Sequence, residues 1–130
     1  MKTKIFQIYL YVLSLMSLLW WPLSHWIYPD TYHRWLGFQS YQLSFVRVIG
    51  SLSFFPVLGM FFVARNPVRN RDFFISLLII SVLIMATYFH LIQTKQFPRL
   101  EYINLILLLV NGALSSILYP WKETLESVAC

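Results

Sequence analysis

Four long apolar stretches separated by short polar joints set the pattern of this chain. The first runs from Ile5 to Leu19 and continues through Trp20-Trp21-Pro22-Leu23-Ser24-His25-Trp26. The others cover about residues 43–63, 73–93 and 101–119. At the rise of an α-helix, a run of ~21 residues reaches about 30 Å, the thickness of a bilayer's hydrocarbon core. The pattern therefore predicts membrane-spanning helices over about 5–27, 43–63, 73–93 and 101–119, all within a single integral membrane domain. Short joints force neighbouring helices to alternate in direction. The fold expected is all-α, an up-and-down four-helix transmembrane bundle.

The joints refine this picture. Lys2 and Lys4 ahead of the first run imitate a signal peptide, but the bulky Trp20–Trp26 stretch offers no small-residue cleavage site, so an uncleaved span is expected. Pro22 lacks a backbone donor and its ring presses on the carbonyl of Leu18, which predicts a kink or an early end to regular helix. Pro29-Asp30-Thr31 is a helix start with Asp30 as N-cap, and Gly37 is a stop. Together they predict a short interfacial helix over about 31–36. Its apolar face would carry Tyr28, Tyr32, Trp35 and Leu36, with Asp30, His33 and Arg34 directed elsewhere, making it a lid over one end of the bundle. Gly50 and Gly59 permit close helix approach in the second span, and Pro56 predicts a bend there.

Composition excludes a soluble domain: 58% of residues are hydrophobic, 12% are charged, and the mean hydropathy is +0.64. A net charge of +5 would suit nucleic acid, but the basic residues sit at span ends and form no patch interleaved with aromatics, so no nucleic-acid partner is expected. Their distribution speaks to orientation instead. Lys2, Lys4, Arg65, Arg69, Arg71 and Lys122 fall on one side, against Arg34, Lys95 and Arg99 on the other, which places both termini in the cytoplasm. Trp20, Trp21, Trp26, Trp35 and Trp121 lie near span ends as interfacial anchors. Cys130 is the sole cysteine, so no internal disulfide is available.

The candidate chemistry lies in the polar residues of the spans. Ser44, Arg47 and Ser51 share one face of the second span; Ser76, Leu83, Thr87, His90 and Thr94 form a stripe along the third; Glu101, Asn104, Leu108, Asn111 and Ser115 form a buried face of the fourth. With alternating directions, His25, Arg47, His90, Glu101 and Asn104 all reach the same outer layer. Charged groups in hydrocarbon cost several kcal/mol and are paired, turned inward or functional. Arg47 either snorkels to the interface or keys a binding site. His90 is either a hydrogen-bonded structural residue or a site residue, and Glu101 an interfacial carboxylate or a partner of Arg47 or His90. Asn111, Ser51 and Thr87 read as helix-packing polar groups. His25, His90 and Glu101 are ligand types for zinc or iron, but no His-x-x-x-His or Glu-x-x-His pair shares a helix, and no metal is expected.

Over Arg47-Val48-Ile49-Gly50, Gly59 and Ala64-Arg65-Asn66-Pro67-Val68-Arg69-Asn70-Arg71 the chain resembles the DoxX-like and BphX-like groups of small bacterial four-span membrane proteins. The resemblance implies a four-helix protein of the bacterial inner membrane and transfers no catalytic residue. The function expected is a binding or accessory subunit. An outer-leaflet polar pocket walled by Trp21, Phe45, Phe54, Phe89 and Tyr102, and keyed by Arg47, His90, Glu101, Asn104 and His25, would take a lipid, a quinone or a partner helix. Membrane lipids, a membrane-protein partner or a second copy are the partners, and no other cofactor is implied. A small dimeric transporter is the alternative. An intramembrane enzyme pairing His90 with Glu101 ranks last, since no nucleophile or metal motif supports it.

Overall fold

The computed structural model describes residues 2–122. The tail read as a short segment of mixed charge lies largely outside them, as does Cys130.

Helix α1 spans Lys2–Ile27, and its passage through Pro22 is handled by a π-helical turn over Leu19–Leu23. Of the kink or early end to regular helix expected at Pro22, regular α-helix does stop at Leu18, but the span itself continues. The wider turn makes room for the proline ring where a donor is missing, and the helix resumes over Ser24–Ile27. Helix α2 follows at Pro29–Leu36 and stops at Gly37, whose φ of 91° is the left-handed conformation that ends a helix. Helices α3 (Leu43–Arg65), α4 (Arg71–Gln93) and α5 (Arg99–Leu118, opening with a 3₁₀ turn) complete the chain. Among the described residues, α1, α3, α4 and α5 are the helices long and apolar enough to cross a membrane.

These four form a ring. α1 packs on α3, α3 on α4, α4 on α5, and α5 closes against α1. The chain is thus an all-helical, up-and-down four-helix bundle with one short helix, α2, at the end opposite the termini. That end is called the far end below.

Two glycines set how closely the helices approach. A methyl group on Gly50 would stand 2.8 Å from the His25 Cβ and 3.0 Å from the Trp26 Cδ1, so α3 meets α1 there almost backbone to backbone. One on Gly59 would run into the Phe73 ring.

The terminal end holds the apolar core. Phe6, Leu10, Val63, Ala64, Phe74, Leu77 and Tyr119 are buried together there, and the Phe74 and Tyr119 rings stack with centroids 4.3 Å apart. The Tyr119 hydroxyl donates to the carbonyl of Pro67 at 2.8 Å, which ties the end of α5 to the α3–α4 loop.

The polar stripes of α3 and α4 face outward. Ser76, Leu83, Thr87, His90 and Thr94 on α4 are all exposed, and the buried side is Phe74, Leu77 and Ile92. Ser76, Thr87 and Thr94 each donate to the carbonyl four residues back, so none needs a neighbouring helix to satisfy it. On α3, Ser44, Arg47 and Ser51 are likewise exposed, while Val46, Gly50 and Val57 face inward.

Candidate functional site at the far end

The polar face of α5 does turn inward. Glu101 is 3% exposed and Asn104 fully buried, and Asn104 is the hub of a network that uses its whole amide. Its Oδ1 accepts from Trp20 Nε1 at 2.7 Å. Its Nδ2 donates to Glu101 Oε2 at 2.6 Å and to the Tyr32 hydroxyl at 3.1 Å. Three elements, α1, α2 and α5, are thereby locked together by one side chain. Burial, first, with a contribution from the Glu101 carboxylate, raises the Tyr32 phenol above its ordinary range, so it stays neutral.

A second cluster lies beside this one. His25 and His33 are both buried, with ring centroids 5.2 Å apart, and Tyr32 lies 5.0 Å from His25. His25 Nδ1 is 2.7 Å from the Trp21 carbonyl, and His33 Nδ1 is 2.8 Å from that of Pro29. A carbonyl can only accept, so both histidines carry their proton on Nδ1. Tyr41 stacks on His33 at 4.5 Å, and its hydroxyl is buried without a partner among the described residues. A buried donor without a partner is a cost. Tyr41→Phe is therefore expected to stabilise the protein by about 1 kcal/mol, read as a higher midpoint in a denaturant titration; a drop in midpoint would mean that the hydroxyl is in fact bonded.

The expected site residues divide. Glu101 and Asn104 come together, with His25 close by through Tyr32. Arg47 and His90 do not join them. Arg47 is exposed on the outer side of α3, its guanidinium 5.9 Å from the Trp26 ring centre, and His90 is exposed on α4. Ser51 sits beside Arg47, donating to its carbonyl and accepting from Trp26 Nε1 at 3.3 Å. Asn111 bonds across helices, its Oδ1 accepting from the Tyr9 hydroxyl at 3.0 Å, whereas Thr87 bonds only within α4. No pocket walled by Phe45 and Phe89 forms, since both rings point outward. Among the described residues, no group of three or more metal-ligating side chains gathers.

Sequence reasoning missed Trp20, Tyr32, His33 and Tyr41. Asp30 is inside the first turn of α2 and not its N-cap, because Pro29, with its fixed φ and absent N–H, takes the first helical position. The buried face of α2 is therefore Pro29, His33 and Leu36, not the face that carries Tyr28 and Trp35. The i, i+4, i+7 spacing of those three residues is the signal that was available.

What remains open to the surroundings is a groove of about 270 Å³ between α1 and α2, lined by Leu19, Trp20, Ser24, Tyr28, Tyr32 and Trp35 with Thr31. It is almost entirely apolar, because the polar tips of Trp20 and Tyr32 are turned away from it, towards Asn104. Ser24 is self-satisfied, donating to the Trp21 carbonyl at 3.0 Å. The Tyr28 and Thr31 hydroxyls have no partner among the described residues.

Set against protein-family models, curated proteins and solved structures, the chain matches none.

Proposed function

We propose that this is a small membrane-embedded binding or accessory subunit that holds a lipid-borne ring compound of the quinone class in the aromatic groove between α1 and α2. The observation that carries the reading is the division of labour at the far end. The acid, Glu101, is buried and bonded to the Asn104 amide, while the accessible surface in front of it is a groove of aromatic rings. About 270 Å³ lies just below the usual range of small-molecule pockets and suits a ring better than a whole two-chain lipid. Trp20, Trp35 and Tyr28 supply ring surfaces for such a compound.

The two other functions need groups that are not presented for them. A transporter cycles an accessible membrane acid, and Glu101 is closed off by Asn104. An acid–base enzyme pairs His90 with Glu101, and His90 faces outward from α4. Arg47, exposed beside Trp26 at the depth where α3 begins, serves a lipid phosphate or a carboxylate of a partner helix in this reading. The exposed side of α4 (Ile79, Val82, Leu83) is where a partner subunit or second copy would pack. By the loop charges, both termini are cytoplasmic, and by the DoxX-like resemblance the membrane is a bacterial inner membrane.

The test is photolabelling in membranes with an azido-quinone. Label is expected on peptides carrying Tyr28 to Trp35, with Trp35→Ala lowering it about tenfold. Label spread evenly over the exposed helix faces, or unchanged in Trp35→Ala, would defeat the proposal.

A further inference from the structure

At the terminal end, the loop between α3 and α4 closes around a polar groove of about 560 Å³ lined by Phe62, Arg65, Asn66, Arg69 and Asn70. The loop is rigidly built. Asn66 Oδ1 accepts from the Arg69 backbone N–H at 3.1 Å, and Asn70 Nδ2 donates to the carbonyls of Phe62 at 2.9 Å and Asn66 at 3.0 Å. Other helices hold it from outside, through the Tyr119 hydroxyl on the Pro67 carbonyl and Gln7 Nε2 on the Arg65 carbonyl.

Asn66 Oδ1 and Asn70 Nδ2 are thus spent on the backbone. The guanidinium groups of Arg65 and Arg69, exposed and four residues apart, are the groove's charged donors, and neither has a partner among the described residues. Arg71 adds a third cation, whose Nε is buried without a partner among them. The carboxylate next to them in sequence is the exposed Asp72, in the first turn of α4.

We infer that this groove is a binding site for a phosphate-bearing anion, and that the anion is the headgroup of an anionic phospholipid. Two arginines on a fixed backbone match the oxygens of a phosphodiester, and arginine forks are suited to that geometry. The source is read from position. Arg65 is the last residue of a span-length helix, so the groove lies where hydrocarbon gives way to headgroups. Phe62 on its wall is 55% exposed, and the exposed Phe61, Leu58 and Phe55 continue down α3 as a track for acyl chains. Basic pockets of this kind at the ends of spans select acidic headgroups.

Loop arginines also serve orientation, so the test must be blind to it. The full chain is placed in phosphatidylcholine nanodiscs containing a minor share of phosphatidylglycerol, where both membrane faces are available, and its retained lipids are read by native mass spectrometry. The wild type is expected to retain phosphatidylglycerol in preference to phosphatidylcholine. The Arg65→Gln/Arg69→Gln variant should retain about tenfold less, and Arg34→Gln/Lys95→Gln, which removes equal charge at the far end, should retain as much as wild type. Equal retention by the Arg65/Arg69 variant, or equal loss in the far-end control, would overturn the site. Soluble pyrophosphate added to the same discs separates the sources: if it displaces phosphatidylglycerol and stays bound itself, the lipid assignment is overturned in favour of a free phosphate. Should the glutamine variant lose helix content by circular dichroism, Arg65→Lys/Arg69→Lys keeps the charge and removes the fork, and undiminished retention by that variant would contradict recognition by paired guanidinium groups.

Discussion

Asn104→Leu is expected to be the most damaging single substitution in the far half of the molecule, costing about 3–5 kcal/mol. Leucine fills a similar volume but leaves the Trp20 N–H, the Tyr32 hydroxyl and the Glu101 carboxylate without the amide that now serves all three. Each buried polar group left unpaired costs about 1–3 kcal/mol, and more when it is charged. Because the amide joins α1, α2 and α5, the loss should also release α2 from the bundle. The measurement is reversible unfolding in mixed micelles, with proteolysis of the 28–42 segment as a second readout. Glu101→Leu/Asn104→Leu should be less destabilised than Asn104→Leu alone, since removing both partners is cheaper than stranding one. A double variant worse than the single one would mean that Glu101 has a second supporting partner.

Gly50→Leu should cost about 3 kcal/mol or more by forcing α1 and α3 apart, because overpacking against backbone-proximal atoms has no cheap relief. The atom in the way is the His25 Cβ, which cannot swing aside as a side-chain end can. Gly112→Ala is the internal control. No atom lies within 4 Å of the methyl it would add, so alanine there should be neutral or stabilising by about 0.5–1 kcal/mol through helix propensity alone. Unfolding midpoints of the two variants decide the matter: similar effects at Gly50 and Gly112 would mean that the α1–α3 contact is looser than its geometry.

The spans were legible in the sequence because length and hydropathy alone determine them. Glu101 and Asn104 were legible as part of an inward face because a carboxylate and an amide three residues apart in an apolar span are not fully satisfied within their own helix and demand a neighbour. The α4 stripe does not carry the same signal: Ser76, Thr87 and Thr94 return their hydroxyls to their own helix, so their periodicity carries no information about which side packs. His33 was misplaced because an imidazole counts as polar in a pattern, yet its ring stacks on Tyr41 as an aromatic while one nitrogen bonds back to Pro29. Nor could the network at Asn104 be foreseen. It joins residues 20, 32, 101 and 104, and only the docking of α2 across the far end brings Tyr32 to the amide.

Arg47 illustrates a different limit. A charge inside an apolar run signals importance without a direction, and only the inward turn of Gly50, which lies on the adjacent face of α3, puts the guanidinium outside over Trp26. An arginine so placed is available to the membrane or to another chain and not to Glu101.

The central claim is that the far end binds a molecule in the aromatic groove while its acid stays closed behind Asn104. Native mass spectrometry of the gently extracted protein tests it most directly. One ring compound of the quinone class per chain, retained by the wild type and by Glu101→Gln but lost from Trp35→Ala, is the result predicted. A chain that carries no such compound, or one that keeps it in Trp35→Ala and loses it in Glu101→Gln, would contradict the account and move the site from the groove to the buried carboxylate.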